Sequence, residues 1–147
     1  MIIFAIDPGT NESGWCVFET GPRLVRTCGI NSNREVLEAI KSAEVDLLAI
    51  EMIASYGMSV GKEVFETCVW IGRFVQAWRE PESVRLVYRR DVKMWLCNDS
   101  RAKDGNIRQA LIDKLGPQGT KKTPGPTYGV KSHMWAALSV AVTVAKL

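Results

Sequence analysis

Apolar residues along this chain come first in short continuous runs and later in helically spaced sets, and that change of period sketches the fold. Ile2-Ile3-Phe4-Ala5-Ile6 is an uninterrupted apolar run that ends on Asp7 and the turn formers Pro8-Gly9-Thr10. Such a run reads as a strand buried on both faces, with its last residue emerging at a sheet edge. Two further stretches, at about 14–19 and 23–30, are separated by Gly21-Pro22, so the first three strands read as an antiparallel meander. Asn31-Ser32 then caps a helix in which Val36, Leu37, Ile40 and Ala43 share one face.

A fourth strand, Val45-Asp46-Leu47-Leu48-Ala49-Ile50, ends like the first on a carboxylate, Glu51. A loop follows at Ala54-Ser55-Tyr56-Gly57, then a long helix near 60–79 carrying Val64, Phe65, Cys68, Val69, Ile71, Phe74 and Val75, then a fifth strand at Val84–Tyr88. Residues 91–96 read as a short helix or a single turn, and 106–112 as another short helix. The Gly-, Pro-, Lys- and Thr-rich stretch 116–131 is long for a loop in a compact domain, hence either functional or mobile. An apolar helix from Met134 to Leu147, capped by Ser132, closes the chain. No internal repeat is present.

If the first and fourth strands are parallel neighbours, about 4.8 Å apart across the ladder, Asp7 and Glu51 converge. Paired carboxylates at such a point suit a divalent metal ion. Taken singly, each has an ordinary explanation, Asp7 as a cap on the Pro8-Gly9 bend and Glu51 as a solvated strand end.

The 147 residues, 46% of them hydrophobic, suit one α/β domain spanning 1–147. No segment approaches the ~20 apolar residues of a membrane span, and the N-terminal run lacks the basic flank of a signal peptide, so a cytoplasmic protein without a membrane partner is expected. Cys16, Cys28, Cys68 and Cys97 are widely spaced, with no C-x-x-C pair, and read as reduced core thiols. With His133 as the only histidine, a Cys/His zinc site gives way to a hard, oxygen-coordinated ion. The net charge of +3 conceals a division: residues 1–84 carry seven Lys/Arg against twelve Asp/Glu, and residues 85–131 carry eleven against four. Cations to hold phosphates beside carboxylates to hold metal are what a phosphodiester-cutting protein needs, although a solvated basic face has the same composition.

Three antiparallel strands, a helix, a strand, a helix and a fifth strand describe the ribonuclease H-like fold. Within that order, Asp7-x-Gly9-x-x-x-x-Gly14-Trp15, Glu51 at a strand end, Val92-Lys93, Lys103 and His133-x-x-Ala136-Ala137-Leu138 resemble the RuvC-type Holliday junction resolvases, particularly their bacteriophage-type members, over nearly the whole chain. The resemblance implies a five-stranded mixed sheet, three antiparallel strands and then two parallel ones, flanked by helices. It also implies a structure-selective endonuclease that resolves four-way (Holliday) DNA junctions in a bacterial or phage-infected cell. The helix near 60–79, with Val69, Trp70, Phe74 and Trp78, would help form a homodimer that faces the two-fold symmetric junction. Asp7 would bridge two Mg²⁺ ions, replaceable by Mn²⁺, Glu51 would bind one, and His133 and position 136, three apart on one helix face, would complete the ligands. Two such ions, about 3.5–4 Å apart, activate the attacking water and stabilise the leaving oxygen.

The family places Asp where this chain has Ala136. That departure removes a ligand and implies weakened metal binding and slow hydrolysis. The intact remainder of the motif favours an engineered Asp-to-Ala change over natural loss, against the ordinary reading of a helix-favouring alanine. Lys103 matches a lysine that approaches the active centre, where a cation stabilises charge on phosphate, and Lys93 matches a second. Arg85, Arg89, Arg90, Arg101, Lys121, Lys122 and Lys131 are candidates for phosphate contacts, which position DNA without reading sequence and make binding salt-dependent. Tyr56 lies where resolvases present an aromatic wedge to the junction centre, or else packs on the neighbouring helix.

Three rival readings stay open. Asp7-x-Gly9-Thr10 also resembles the first phosphate loop of actin-like and sugar-kinase ATPases, but no second Asp-Gly-Thr segment supplies the other lobe, so no nucleotide cofactor is expected. A catalytically silent junction-binding protein has Ala136 as its best support. A related nuclease of branched DNA or RNA–DNA hybrids would share the other motifs.

Overall fold

The computed structural model describes every residue from Met1 to Leu147. Its strands are β1 (Ile2–Asp7), β2 (Glu12–Glu19), β3 (Leu24–Ser32), β4 (Leu47–Met52) and β5 (Arg85–Tyr88), forming one sheet in the order β3-β2-β1-β4-β5. The first three are antiparallel neighbours, whereas β4 runs parallel to both β1 and β5. The apolar run of β1 therefore occupies the middle of the sheet, and its interior residues are buried on both faces.

Alternation along the strands divides the core in two. Phe4, Ile6, Leu48 and Ile50 pack on one face against Val36 and Ile40 of α1 (Asn33–Ser42) and Ile71 and Phe74 of α2 (Lys62–Ala77). Ile3, Ala5 and Ala49 face the other way, against α3 (Arg89–Cys97), α4 (Asp104–Leu115) and α5 (Met134–Ala145). Each large side chain buried in these layers contributes about 1.5–3 kcal/mol. Ala5 and Ala49 on the sheet, with Ala137 and Ala141 on α5, are all fully buried. These small side chains let the apolar helix α5 lie close over the central strands, which fixes where its N-terminus ends up.

Most expected elements are present, with corrections at their ends. Ser32 caps α1, its Oγ accepting from the Glu35 N–H at 3.2 Å. Ser132 does not cap α5: it lies outside the helix with a left-handed φ of 52°, and His133 occupies the cap position without a side-chain hydrogen bond. The segment read as a possible single turn is the nine-residue α3, and α4 starts two residues before the expected position 106, on Asp104. The stretch 116–131 is not a loose loop. The Pro126 carbonyl accepts from the Val25 N–H at 2.9 Å, Gln118 Nε2 donates to the Val130 carbonyl at 2.6 Å, and Thr127 and Val130 are buried. Its irregular backbone is satisfied by β3 and by itself, which composition alone does not reveal. All four cysteines are free, but only Cys16 is a fully buried core thiol, the other three being half-buried.

Candidate active site

The two-residue period of the strands decides where the carboxylates point. Asp7 lies on the face of Ile3 and Ala5, and Glu51 on the face of Ala49, so both project towards the α5 side. The parallel register pairs Ile6 with Ile50, and Asp7 and Glu51 are the next residues on these adjacent strands. They lie at the floor of a cleft of about 980 Å³ whose walls include Arg89, Asp104, Arg108, Tyr128, Lys131, His133 and Ala136.

Burial and mutual repulsion set the electrostatics. Glu51, its side chain 16% exposed, has its pKa pushed up from 4.5 to about 7, first by burial and then by the neighbouring Asp7, with Arg89 opposing both. Burial likewise raises Asp7, against the lowering effects of His133 and Arg89. Two partners hold the pair. Arg89 Nη1 lies 3.5 Å from Glu51 Oε2, while Nη2 donates to Asp104 Oδ1. His133 Nδ1 lies 2.9 Å from Asp7 Oδ2. When Asp7 is ionised its carboxylate can only accept, so His133 Nδ1 is the donor in this contact.

The glycines and small polar residues after Asp7 build the support for this arrangement. Gly14 pairs with Asp7 across the ladder, and a Cβ there would stand 2.7 Å from the His133 carbonyl oxygen and 2.8 Å from its Cβ. Only glycine lets the start of α5 approach β2 this closely. The turn itself is held by buried polar groups. Asn33 Nδ2 donates to the Gly9 carbonyl at 2.9 Å, Ser13 Oγ donates to Asn33 Oδ1 at 2.6 Å, and the Gly9 N–H donates to Ser13 Oγ at 3.3 Å. A satisfied buried network of this kind fixes the turn that follows the end of β1.

No protein-family model matches the chain, and no curated protein matches its sequence significantly. Solved structures do match. RuvC of Thermus thermophilus in complex with a Holliday junction substrate superposes with a TM-score of 0.74 at 20% identity, covering 99% of this chain and 93% of that one. A second Thermus thermophilus RuvC structure gives 0.72 at 19% identity, covering 99% and 94%. The fold is RuvC-type. At this identity the likeness carries the ribonuclease H-like arrangement of the sheet and helices over nearly the full chain.

On the RuvC-type fold only some of the residues singled out from sequence are brought together. Asp7, Glu51, His133, Ala136, Arg89 and Lys131 come together at the cleft. Arg89, a candidate phosphate contact, is engaged by the carboxylates Glu51 and Asp104. Lys103 is exposed immediately before α4, and its side chain is not part of the cleft wall, although Asp104 beside it is. Arg90, Arg101, Lys121 and Lys122 are exposed outside the cleft and Lys93 is half-buried. Tyr56 is exposed in the loop after β4 with a left-handed φ of 50°, not packed away on α2. Trp78 and Phe74 of the expected dimer helix are core residues, whereas Phe65 and Val69 are exposed on it.

Asp104, Arg108, Gln118 and Tyr128 also line the cleft and were not singled out. The start of α4 held the one available signal, an acidic residue at a helix N-terminus.

The donor set suits a hard cation. Asp7 and Glu51 are buried side by side with only Arg89 and His133 to offset their charge. No three or more carboxylate, imidazole or thiol side chains converge to enclose an ion, and Ala136 adds no donor. Two carboxylates with the remaining positions left to water and substrate oxygens is an arrangement that Mg²⁺ accepts.

Proposed function

We propose that this chain is a structure-selective, divalent-cation-dependent endonuclease for four-way DNA junctions whose hydrolytic step is disabled at Ala136. The observation that carries the reading is the buried Asp7–Glu51 pair at adjacent strand ends, facing a cleft walled by Arg89, Arg108 and Lys131 on a RuvC-type fold. Asp7 and Glu51 would hold Mg²⁺ or Mn²⁺, with His133 positioning Asp7 beside them. Bound there, two such ions would supply water activation and leaving-group stabilisation for phosphodiester hydrolysis.

The chain's own residues then divide the work. Asp7 and Glu51 provide the concentrated negative charge, and the Gly9–Ser13–Asn33 network holds the turn that follows Asp7. His133 orients Asp7 through Nδ1. Lys131 and Arg108 on the cleft wall, with Lys121 and Lys122 further out, would bind phosphates of the junction arms. The exposed Phe65 and Val69 on α2 support a second copy of the chain as partner, placing two clefts on one junction.

Ala136 specifically favours a second reading, a junction-binding protein that does not cut. Cleavage and binding of a synthetic four-way junction in Mg²⁺ or Mn²⁺ test both, comparing the chain with Ala136→Asp and with Ala136→Asp carrying Asp7→Asn. Paired symmetric nicks by Ala136→Asp alone establish a resolvase disabled at one ligand. Tight binding without cutting by any version establishes the silent reading. Absence of junction binding by all three refutes both.

A further inference from the structure

Arg89 spans two carboxylates of opposite character. Glu51, on its inner side, is a strand residue with its side chain only 16% exposed, and it stays where β4 puts it. Asp104, on its outer side, sits in the first turn of α4 with its side chain 91% exposed. The Asp104 carboxylate makes no hydrogen bond other than the one to Arg89. It is not needed to cap α4 either, because Asn106 Oδ1 accepts from the Lys103 N–H at 2.9 Å. Asp104 is therefore an exchangeable partner for Arg89, while Glu51 is the fixed one.

What would replace it follows from the shape and charge of the cleft. A planar guanidinium presents parallel N–H donors that match a carboxylate or a phosphate equally well. Arg108 and Lys131 stand on the walls of the same cleft, so an incoming polyanion is drawn to the place where Asp104 now contacts Arg89. We propose that Asp104 holds the position of a nucleic-acid phosphate on Arg89, so that DNA binding exchanges the Asp104–Arg89 pair for a phosphate–Arg89 pair beside Asp7 and Glu51. Arg89 is then the residue that seats the phosphate against the carboxylate pair, and Asp104 keeps it in place until DNA arrives. The inference rests on the DNA-directed reading above and adds the phosphate's location and the group it displaces.

The competing account is that the Arg89–Asp104 pair merely ties α3 to α4. Fluorescence anisotropy of a labelled four-way junction, in EDTA and over a sodium chloride series, separates the two. The chain is compared with Asp104→Asn, Arg89→Gln, the double variant, and Asp113→Asn, which removes the same charge from an exposed position on the same helix. Removing an exposed competing ion pair should tighten binding about fivefold. Because Arg89 meets the phosphate in both bound states, the slope of log K against log salt should stay near the parent's in Asp104→Asn and become shallower by about 0.9 in Arg89→Gln. Asp113→Asn should leave both near the parent values, and Asp104→Asn should bring no gain when Arg89 is already glutamine.

Asp104→Asn behaving like Asp113→Asn, or keeping its gain without Arg89, overturns the proposal while leaving the DNA reading standing. Failure of every variant, parent included, to bind junction or duplex overturns the DNA reading and the proposal with it. Thermal melts of each variant confirm that the comparison is between folded proteins.

Discussion

Glu51 costs this protein stability at neutral pH, and the cost has a definite sign and window. Its pKa is 4.5 before burial and about 7 in the fold, raised by burial and by Asp7. A carboxyl group with a raised folded-state pKa binds its proton more tightly in the native state than in the unfolded one. In the absence of divalent ions, the contribution of Glu51 to stability is therefore most favourable below about pH 4.5, falls as pH rises towards about 7, and levels off above it. A shift of this size is equivalent to about 3 kcal/mol. Glu51→Gln keeps the side chain's size and removes its ionisation. The variant should match the parent near pH 4.5 and exceed it by about 3 kcal/mol near pH 8, which for a chain of this length is about 9 °C in Tm. Asp7 is raised in the same direction, so a shallower fall of the same sign should persist in the variant. Urea unfolding in EDTA at several pH values measures the difference directly. A constant difference between parent and variant from acid to neutral pH would refute the reasoning. The same cost makes a site that rewards cations, so Mg²⁺ should raise the parent's Tm at pH 8 more than the variant's.

Two substitutions test the support of the site. Gly14→Ala sets a methyl group against the His133 backbone and should destabilise by about 1–3 kcal/mol; the imidazole NMR signals of the chain's single histidine should move with it, and an unchanged melt and spectrum would show that the close approach is unimportant. Asn33→Ala strands the buried Ser13 hydroxyl and the Gly9 carbonyl at a cost of about 2 kcal/mol, read from the urea midpoint, and should speed amide exchange in the 8–13 turn; a loss below about 0.5 kcal/mol would mean that water replaces the amide at no penalty.

The sheet was legible because its signals are local. The run Ile2–Ile6, the alternation in the next two strands and the second apolar run before Glu51 each announce a strand, and the parallel pairing of β1 with β4 follows from the helix between β3 and β4. What stayed hidden depends on contacts between distant residues. The order of 116–131 comes from a hydrogen bond to Val25 and from the buried Thr127, more than a hundred positions from the former. Its Gly and Pro content describes a loop but not what the loop rests on. The Ser132 cap failed for a related reason. α5 is placed by its alanine face on the sheet, and the close approach of His133 to Gly14 sets the chain's entry into the helix, so cap propensity is outweighed by packing.

For the site, the carboxylates were legible and their counter-charges were not. Asp7 and Glu51 stand out because each ends an apolar run, and β-sheet register does the rest. Arg89 looked like any other arginine of a basic segment, since nothing in Tyr88-Arg89-Arg90-Asp91 distinguishes the one that turns inward from the one that stays exposed. The difference is made by β5 ending beside β4, with Met52 paired to Tyr88. The next residue, Arg89, thereby starts α3 within reach of Glu51, while Arg90 points away to solvent. The charge division between the two parts of the chain thus reflects more than a basic face beside an acidic one. One cation from the basic part is built into the acidic centre, where it limits the repulsion of two buried carboxylates without neutralising both. The residual negative charge is what a divalent ion would find there, and the outward face of Arg89 is what a phosphate would find.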